Sequence, residues 1–319
     1  MAGVRIIMTC GLVAAALASL PDAALAQSKP SPANVRFAVM GVANFTPLVV
    51  ARDKGIFADE NLNVTWTTVN QGAIAIEAVF GGSAEVGGGS IFEPMVARSN
   101  GLDMMFLAAS TRIRSAPPDN SGVAVRTNDN IKTAKDLIGK KVSAGLINGP
   151  NYVHMREWLQ RNGVDPGSVE FLEIPFPQMA DALFQNRLDA VWNVEPFLTF
   201  MVKSGNARVI AYPYQENVPR MDITGYVARE SWIKANADVA RRVRRALDRA
   251  TTELINAGKP ERDAFVVKYT GAKPEIVTAL NLAEFTTEFN VPSLKANLDI
   301  AVRQKLAKPF DVDTMIWKP

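Results

Sequence analysis

The sequence is almost without cysteine and histidine: Cys10 and His154 are the only ones. A lone histidine with no thiol beside it makes no typical zinc site. A Ser-His-Asp arrangement would need a serine brought to His154, and no G-x-S-x-G nucleophile elbow is present. There is no P-loop, and no G-x-G-x-x-G follows the first predicted strand. These absences point away from an enzyme, and no catalytic residue, cofactor or metal is expected. Net charge is scarce as well. Thirty-five Lys and Arg against 32 Asp and Glu leave +3, too little to argue for nucleic acid or an acidic membrane.

Long apolar runs are scarce too. The one that stands out, Ile6 to Leu20, follows Arg5 and is shorter than the roughly 20 residues a spanning helix needs. Pro21 breaks it, and Ala24-Leu25-Ala26 is an A-x-A cleavage site. Residues 1–26 are therefore expected to be a secretory signal peptide, with the mature chain starting near Gln27. A lipid-anchor cysteine would sit at the cleavage point, and Cys10 lies inside the run. The mature chain then has no cysteine, which excludes disulfides, thiol nucleophiles and iron–sulfur clusters. Export without cysteine fits the bacterial periplasm.

What remains is an ordinary globular composition. Of 319 residues 48% are hydrophobic and 21% charged, enough for two domains with sizeable cores. Val35 to Val39 alternates and predicts a first strand. Thr46 and Pro47 predict the cap and first position of a helix that ends at Gly55. Further strands are predicted at 63–69, 84–87, 104–109, 142–144, 169–174 and 188–192. Helices are predicted at 72–80, 131–137, 152–161, 177–185, 237–257, 274–283 and 291–305. The basic positions 241, 242, 244 and 245 predict a solvated helix face. Strands alternating with helices argue for parallel βαβ units and an α/β fold.

One internal similarity stands out. Phe80-Gly81-Gly82-Ser83-Ala84-Glu85-Val86 leads to Glu93-Pro94, and Phe184-Gln185-Asn186-Arg187-Leu188-Asp189-Ala190 leads to Glu195-Pro196. Each is a helix end, a tight turn, an acidic residue, a strand and a Glu-Pro loop. The repeat predicts two similarly built lobes with equivalent loops on opposite walls of one cleft.

Four segments in order resemble one family. Asn44-Phe45-Thr46-Pro47-Leu48 to Ala51, then Lys54-Gly55-Ile56-Phe57 and Asn61-Leu62-Asn63-Val64, resemble the opening of the NMT1/THI5-like and taurine/nitrate/sulfonate solute-binding proteins. Gly72 to Ser90, Ile131 to Val142 and Pro177 to Pro196 resemble their later segments. Asn186 and Leu188 stand where the family usually has Gly and Val, and Gly87-Gly88-Gly89 is unusually Gly-rich. The resemblance implies the type II periplasmic-binding-protein fold: two α/β lobes, two crossover segments and a ligand cleft between the lobes. Lobe I is expected at 34–118 plus 225–319, lobe II at 119–224, with a hinge near 113–124 and 220–228.

In open parallel sheets, ligands bind where strands end and helices begin. That rule selects Asn44, Phe45, Thr46, Gly72, Ala73 and Ser90 in the first lobe. In the second it selects Asn148, Asn151, Tyr152, Trp192 and Glu195, and Arg112 near the crossover adds an anion clamp. Each has a plainer reading as well: Asn44 and Thr46 as caps, Gly72 as a turn, Ser90 as a loop serine, the aromatics as core, Glu195 as a brace, Arg112 as a surface charge. Phe92 is read as core. The resemblance implies a monomeric periplasmic protein that captures a small anionic or polar-headed organic molecule and delivers it to the permease of an ABC importer. A sulfonate, an aromatic acid or a pyrimidine fits that description. Two alternatives are an extracytoplasmic sensor subunit and a relative of the thiamine-pyrimidine-synthesis enzymes, which use cysteines and a histidine.

Overall fold

In a computed structural model, residues 1–3 and 31–319 are described. The expected signal peptide lies largely outside the described residues. Eleven strands are found among them: β1 Ala33–Met40, β2 Leu62–Val69, β3 Val86–Ser90, β4 Met105–Arg112, β5 Ser121–Arg126, β6 Lys141–Ser143, β7 Glu170–Phe171, β8 Ala190–Val194, β9 Ala207–Ala211, β10 Asp222–Ala228 and β11 Glu284–Phe285. The helices of the first half are α1 Pro47–Asp53, α2 Ile56–Asp59, α3 Gly72–Phe80, α4 Phe92–Ser99, α5 Pro150–Arg161, α6 Met179–Phe184 and α7 Phe197–Lys203. Those of the second are α8 Pro213–Asn217, α9 Glu230–Ala235, α10 Ala237–Asn256, α11 Lys259–Thr270, α12 Pro274–Val277 and α13 Val291–Arg303.

The strands form two sheets of one plan. The first runs β11-β4-β10-β3-β1-β2 and the second β7-β6-β8-β5-β9. In each, three strands lie parallel (β2-β1-β3 and β7-β6-β8). In each, the next strand is antiparallel and is the one on which the chain enters from the other sheet: β10 beside β3, β5 beside β8. β4 and β9 close the pattern against those entering strands. The chain passes between the sheets through residues 113–120 and 212–221.

Local chemistry explains much of this. β1 buries Val35, Phe37 and Val39 on one side and pairs in register with all of β2, Ala33 opposite Leu62 through Met40 opposite Val69. The Gly-rich stretch is β3, and its glycines permit close packing. A Cβ on Gly88 would stand 2.6 Å from Val39 Cγ1 and 2.9 Å from Phe45 Cε1. The Phe45 ring lies edge-on to Tyr226, with centroids 5.3 Å apart, beneath the first sheet.

Several expectations change. The helix expected at 131–137 is a single 3-10 turn, Ala134–Leu137, closed by a capping box between Thr133 and Asp136. That expected at 177–185 starts with a 3-10 turn and becomes helical at Met179. The strand expected at 169–174 pairs only at Glu170–Phe171. The helix expected at 274–283 stops at Val277, and the chain reaches β11 instead. Glu93-Pro94 is not a loop but the first turn of α4, where proline removes an N–H that has no partner in any case. Thr46 makes no cap bond to α1; its hydroxyl donates to the Ala43 carbonyl at 2.7 Å.

The basic run of α10 is more than a solvated face. Arg245 pairs with Glu60 at 2.6 Å, Arg242 donates to the Glu60 and Asn61 carbonyls, and Arg244 reaches the Leu107 carbonyl and Asp248. These bonds hold α10 to α2 and β4. The C-terminal α13 packs on both α4 and α5, and its Arg303 pairs with Glu157 of α5 at 2.7 Å. It thereby links a helix that follows the first sheet's β3 to one that follows the second sheet's β6. Among the described residues no helix is long and apolar enough to cross a membrane.

Candidate functional site

The strand ends of both sheets meet at one cavity. On the first-sheet side Met40 ends β1 and Val42 and Asn44 follow it, Asn70 to Gly72 follow β2, Ser90 ends β3 and Glu93 follows it, and Ile223 and Thr224 come from β10. On the other side Ala144 to Leu146 and Gly149 to Asn151 follow β6, Pro175 and Phe176 follow β7, and Val194 and Glu195 end β8. Asn120 and Tyr214 enter from the two crossing segments. The space open to the centre of a water molecule is about 80 Å3, several times what one water requires. Helices α3 and α5 both start on this wall, and the residue before each places no side chain on their free N–H groups. No Lys, Arg or His is found among the lining residues.

The polar wall is held from behind. Asn44 donates its amide to the hydroxyls of Thr111 at 2.7 Å and Thr224 at 3.4 Å, which are themselves 2.7 Å apart. Ser110 donates to the Asn44 carbonyl at 2.6 Å. Tyr214 donates its hydroxyl to Asn151 Oδ1 at 2.7 Å. Its ring packs on Trp192 with centroids 4.5 Å apart.

Glu93 and Glu195 are the two carboxyls on the wall, and they hold the equivalent positions of the internal repeat. Burial pushes Glu93 up to about 7, against the opposing pull of its own backbone N–H and the Ser90 hydroxyl. Its Oε2 is buried with no partner. Burial also raises Glu195, though less freely, because Asn281 and Thr199 hydrogen-bond to it. Glu195 Oε1 accepts from Thr199 Oγ1 at 2.7 Å and from the Asn281 N–H at 3.0 Å, and Oε2 accepts from the Thr199 N–H at 3.0 Å. Two amides also carry unpartnered buried atoms on this wall: Asn120 Oδ1 and Asn151 Nδ2.

The structure brings five of the twelve candidate residues to the cavity: Asn44, Gly72, Ser90, Asn151 and Glu195. The others lie elsewhere. Phe45 and Trp192 are fully buried, Phe45 in the core of the first sheet and Trp192 in mid-strand β8 behind Tyr214. Thr46 is buried on its own turn, and Ala73 lies in α3 off the cavity wall. Arg112 pairs with Asp222 of β10 at 2.7 Å and donates to the Glu288 carbonyl, so its guanidinium is used beside the first sheet. Asn148 sits exposed at a left-handed turn with φ 63°. Tyr152 packs edge-on to Phe171. Phe92 is core, as its sequence suggests. Glu93, at the end of the loop that follows the third strand, and Asn120 and Tyr214 also line the cavity. The Glu-Pro repeat was the signal for Glu93; the crossing segments gave none for the other two.

His154 is off the cavity wall, behind Tyr214, with ring centroids 4.9 Å apart. It is fully buried, with Nε2 3.1 Å from Asn297 Oδ1, and burial lowers it to about 4, leaving it neutral. Among the described residues no group of three or more His, Cys, Asp or Glu is placed to hold a metal ion.

Residues 42–261, more than half of the chain, match the family model described as NMT1/THI5 like. The Bacillus subtilis (strain 168) protein YtlA is 23% identical over 251 residues, 73% of this chain and 70% of that protein. The alkanesulfonate-binding protein SsuA from Xanthomonas axonopodis pv. citri, solved bound to MOPS, superposes with a TM-score of 0.75 at 18% identity, covering 91% of this chain and 100% of that one. The periplasmic nitrate-binding protein NrtA from Synechocystis PCC 6803 gives 0.71 at 16% identity over 90% and 85% of the two chains. With two like-ordered sheets facing one cavity and a family match over most of its length, the chain belongs to the NMT1/THI5-like family and has the periplasmic-binding-protein fold.

Proposed function

We propose that this protein captures a small polar organic molecule in the periplasm and delivers it to an ABC importer. The observation that carries the reading is the cavity itself, walled by the strand ends of both sheets. In this reading the first sheet with its helices forms one lobe and the second sheet the other, with α13 bridging them; the second boundary, expected at 224, falls before Asp222, because Asp222–Ala228 are β10 of the first sheet. The hinge is the pair of crossing segments at 113–120 and 212–221. A solute touching both walls binds the closed arrangement better than the open one, so binding shifts the population toward closure. The permease then reads the closed form. The protein acts as a monomer after removal of residues 1–26, and the neutral, buried His154 takes no part in chemistry.

Native mass spectrometry of the purified protein, followed by unfolding, refolding and reloading, tests this. A co-purified small molecule whose return makes the small-angle scattering profile more compact supports the reading. Identical profiles for stripped and reloaded protein overturn it.

A further inference from the structure

Of the unpartnered buried side-chain atoms among the described residues that line the cavity, two are acceptors and one is a donor, and no Lys, Arg or His stands among the lining residues. Glu93 Oε2 and Asn120 Oδ1 are buried acceptors without partners, and Asn151 Nδ2 is a buried donor without one. All three belong to residues that line the one cavity, Glu93 from the first-sheet side, Asn151 from the other and Asn120 from a crossing segment. An unpartnered buried polar atom costs free energy, so three around one cavity favour a molecule that gives N–H to two of them and takes a hydrogen bond from the third.

The groups facing Glu93 sharpen the choice. From α3, Gly72 approaches its carboxyl so closely that a Cβ there would lie 2.9 Å from Oε1. From β3 comes the Ser90 hydroxyl. From α8 comes Tyr214, whose own raised phenol is due first to burial and then to the charges of Glu93 and Asp119. Across the cavity stands Glu195. None of these is cationic. A permanent oxyanion would meet the free N–H groups of α3 and α5, but it would also sit beside Glu93 and Glu195. An ammonium or amidinium supplies the charge and the donors that Glu93 lacks, while an acceptor atom at its other end suits Asn151 and the start of α5.

We propose that the solute is a small nitrogenous molecule whose protonated amine or amidine donates N–H to Glu93, and that Glu93 selects it against sulfonates and carboxylates. This rests on the cavity being the solute site.

The test uses stripped full-length mature protein and size-matched probes. Acetamidine and benzamidine are compared with methanesulfonate and benzenesulfonate by thermal-shift titration at pH 8, in wild type and E93Q. The expected result is a saturable stabilisation by an amidinium probe, weakened at least tenfold in E93Q, and none by the sulfonates. E93Q keeps the size of the side chain, and its melting point without probe checks that it folds. A sulfonate that binds equally well to wild type and E93Q overturns the inference while leaving the binding-protein reading intact. Amidinium probes without effect, in a protein that carries a different co-purified molecule, do the same. If nothing binds and nothing co-purifies, both readings fall.

Discussion

Gly72 and Glu93 face each other across the start of α3, so close that the Cβ of an alanine at 72 would stand 2.9 Å from Glu93 Oε1 and 3.3 Å from its Cδ. The obstacle is the end of a side chain rather than backbone, so the carboxyl can move aside. Gly72→Ala should therefore cost little stability, within about 1 kcal/mol. It should displace Glu93 from the cavity and weaken solute binding about tenfold or more. Denaturant unfolding and binding titrations on the same preparation check the split. Equal losses in stability and affinity would mean that Gly72 serves the fold alone.

Glu93 and His154 set opposite pH limits. Glu93 is raised to about 7 in the fold from an ordinary value of 4.5. Between those two values the folded protein holds a proton that the unfolded chain has released, so stability falls as pH rises through the window. The full effect is roughly 3 kcal/mol. Asp119, pushed up to about 6 mainly by burial, adds in the same direction. His154, lowered to about 4 from about 6.5, acts oppositely, and stability is lost as pH falls from about 6.5 toward 4. E93Q should gain on the wild type between pH 5 and pH 8 in urea melts. A constant difference between the two proteins would show that Glu93 titrates normally.

How far the sequence leads depends on how each element buries itself. β1 alternates, and α3 lies between loop signals, so both are legible as period and punctuation. β5 and β10 escaped notice because every residue of β10, and all but Arg126 of β5, is buried, which erases the alternation a half-exposed strand displays. The site divides on similar lines. The strand-end rule finds Asn44, Gly72, Ser90, Asn151 and Glu195 because topology alone places them. It fails for Trp192, which lies within β8 rather than after it, and for Arg112, whose partner Asp222 arrives from 110 residues along the chain. Asn120 and Tyr214 belong to crossing segments, where local pattern carries no information about the cleft.

Trp192 offers a control for that division. It is fully buried behind Tyr214, and its indole Nε1 has no partner. Trp192→Phe loses packing but no hydrogen bond, so it should cost about 1–3 kcal/mol of stability. Affinity for the bound solute should stay within about threefold, since Tyr214 remains tied to Asn151. A large loss of affinity with little loss of stability would return Trp192 to the binding surface.

Glu195 ties together parts of the chain that belong to different sheets. Thr199 lies in α7, which follows β8 of the second sheet, whereas Asn281 lies just before β11 of the first. One carboxyl accepts from both, at 2.7 Å and 3.0 Å through the same oxygen. Hydrogen bonds to a charged group contribute about 1.5–3 kcal/mol, and the Asn281 bond exists only while the two walls are this close. Glu195→Ala should therefore favour the open arrangement, lowering solute affinity about tenfold and making the loaded protein less compact in small-angle scattering. Thr199→Ala removes only the hydroxyl bond from α7 to Glu195 and leaves the Asn281 N–H its acceptor. It should reduce stability by about 1 kcal/mol with affinity nearly unchanged. The contrast between the two variants is the measurement. If both weaken binding alike, Glu195 acts by shaping its own wall, and the link to Asn281 contributes nothing to closure.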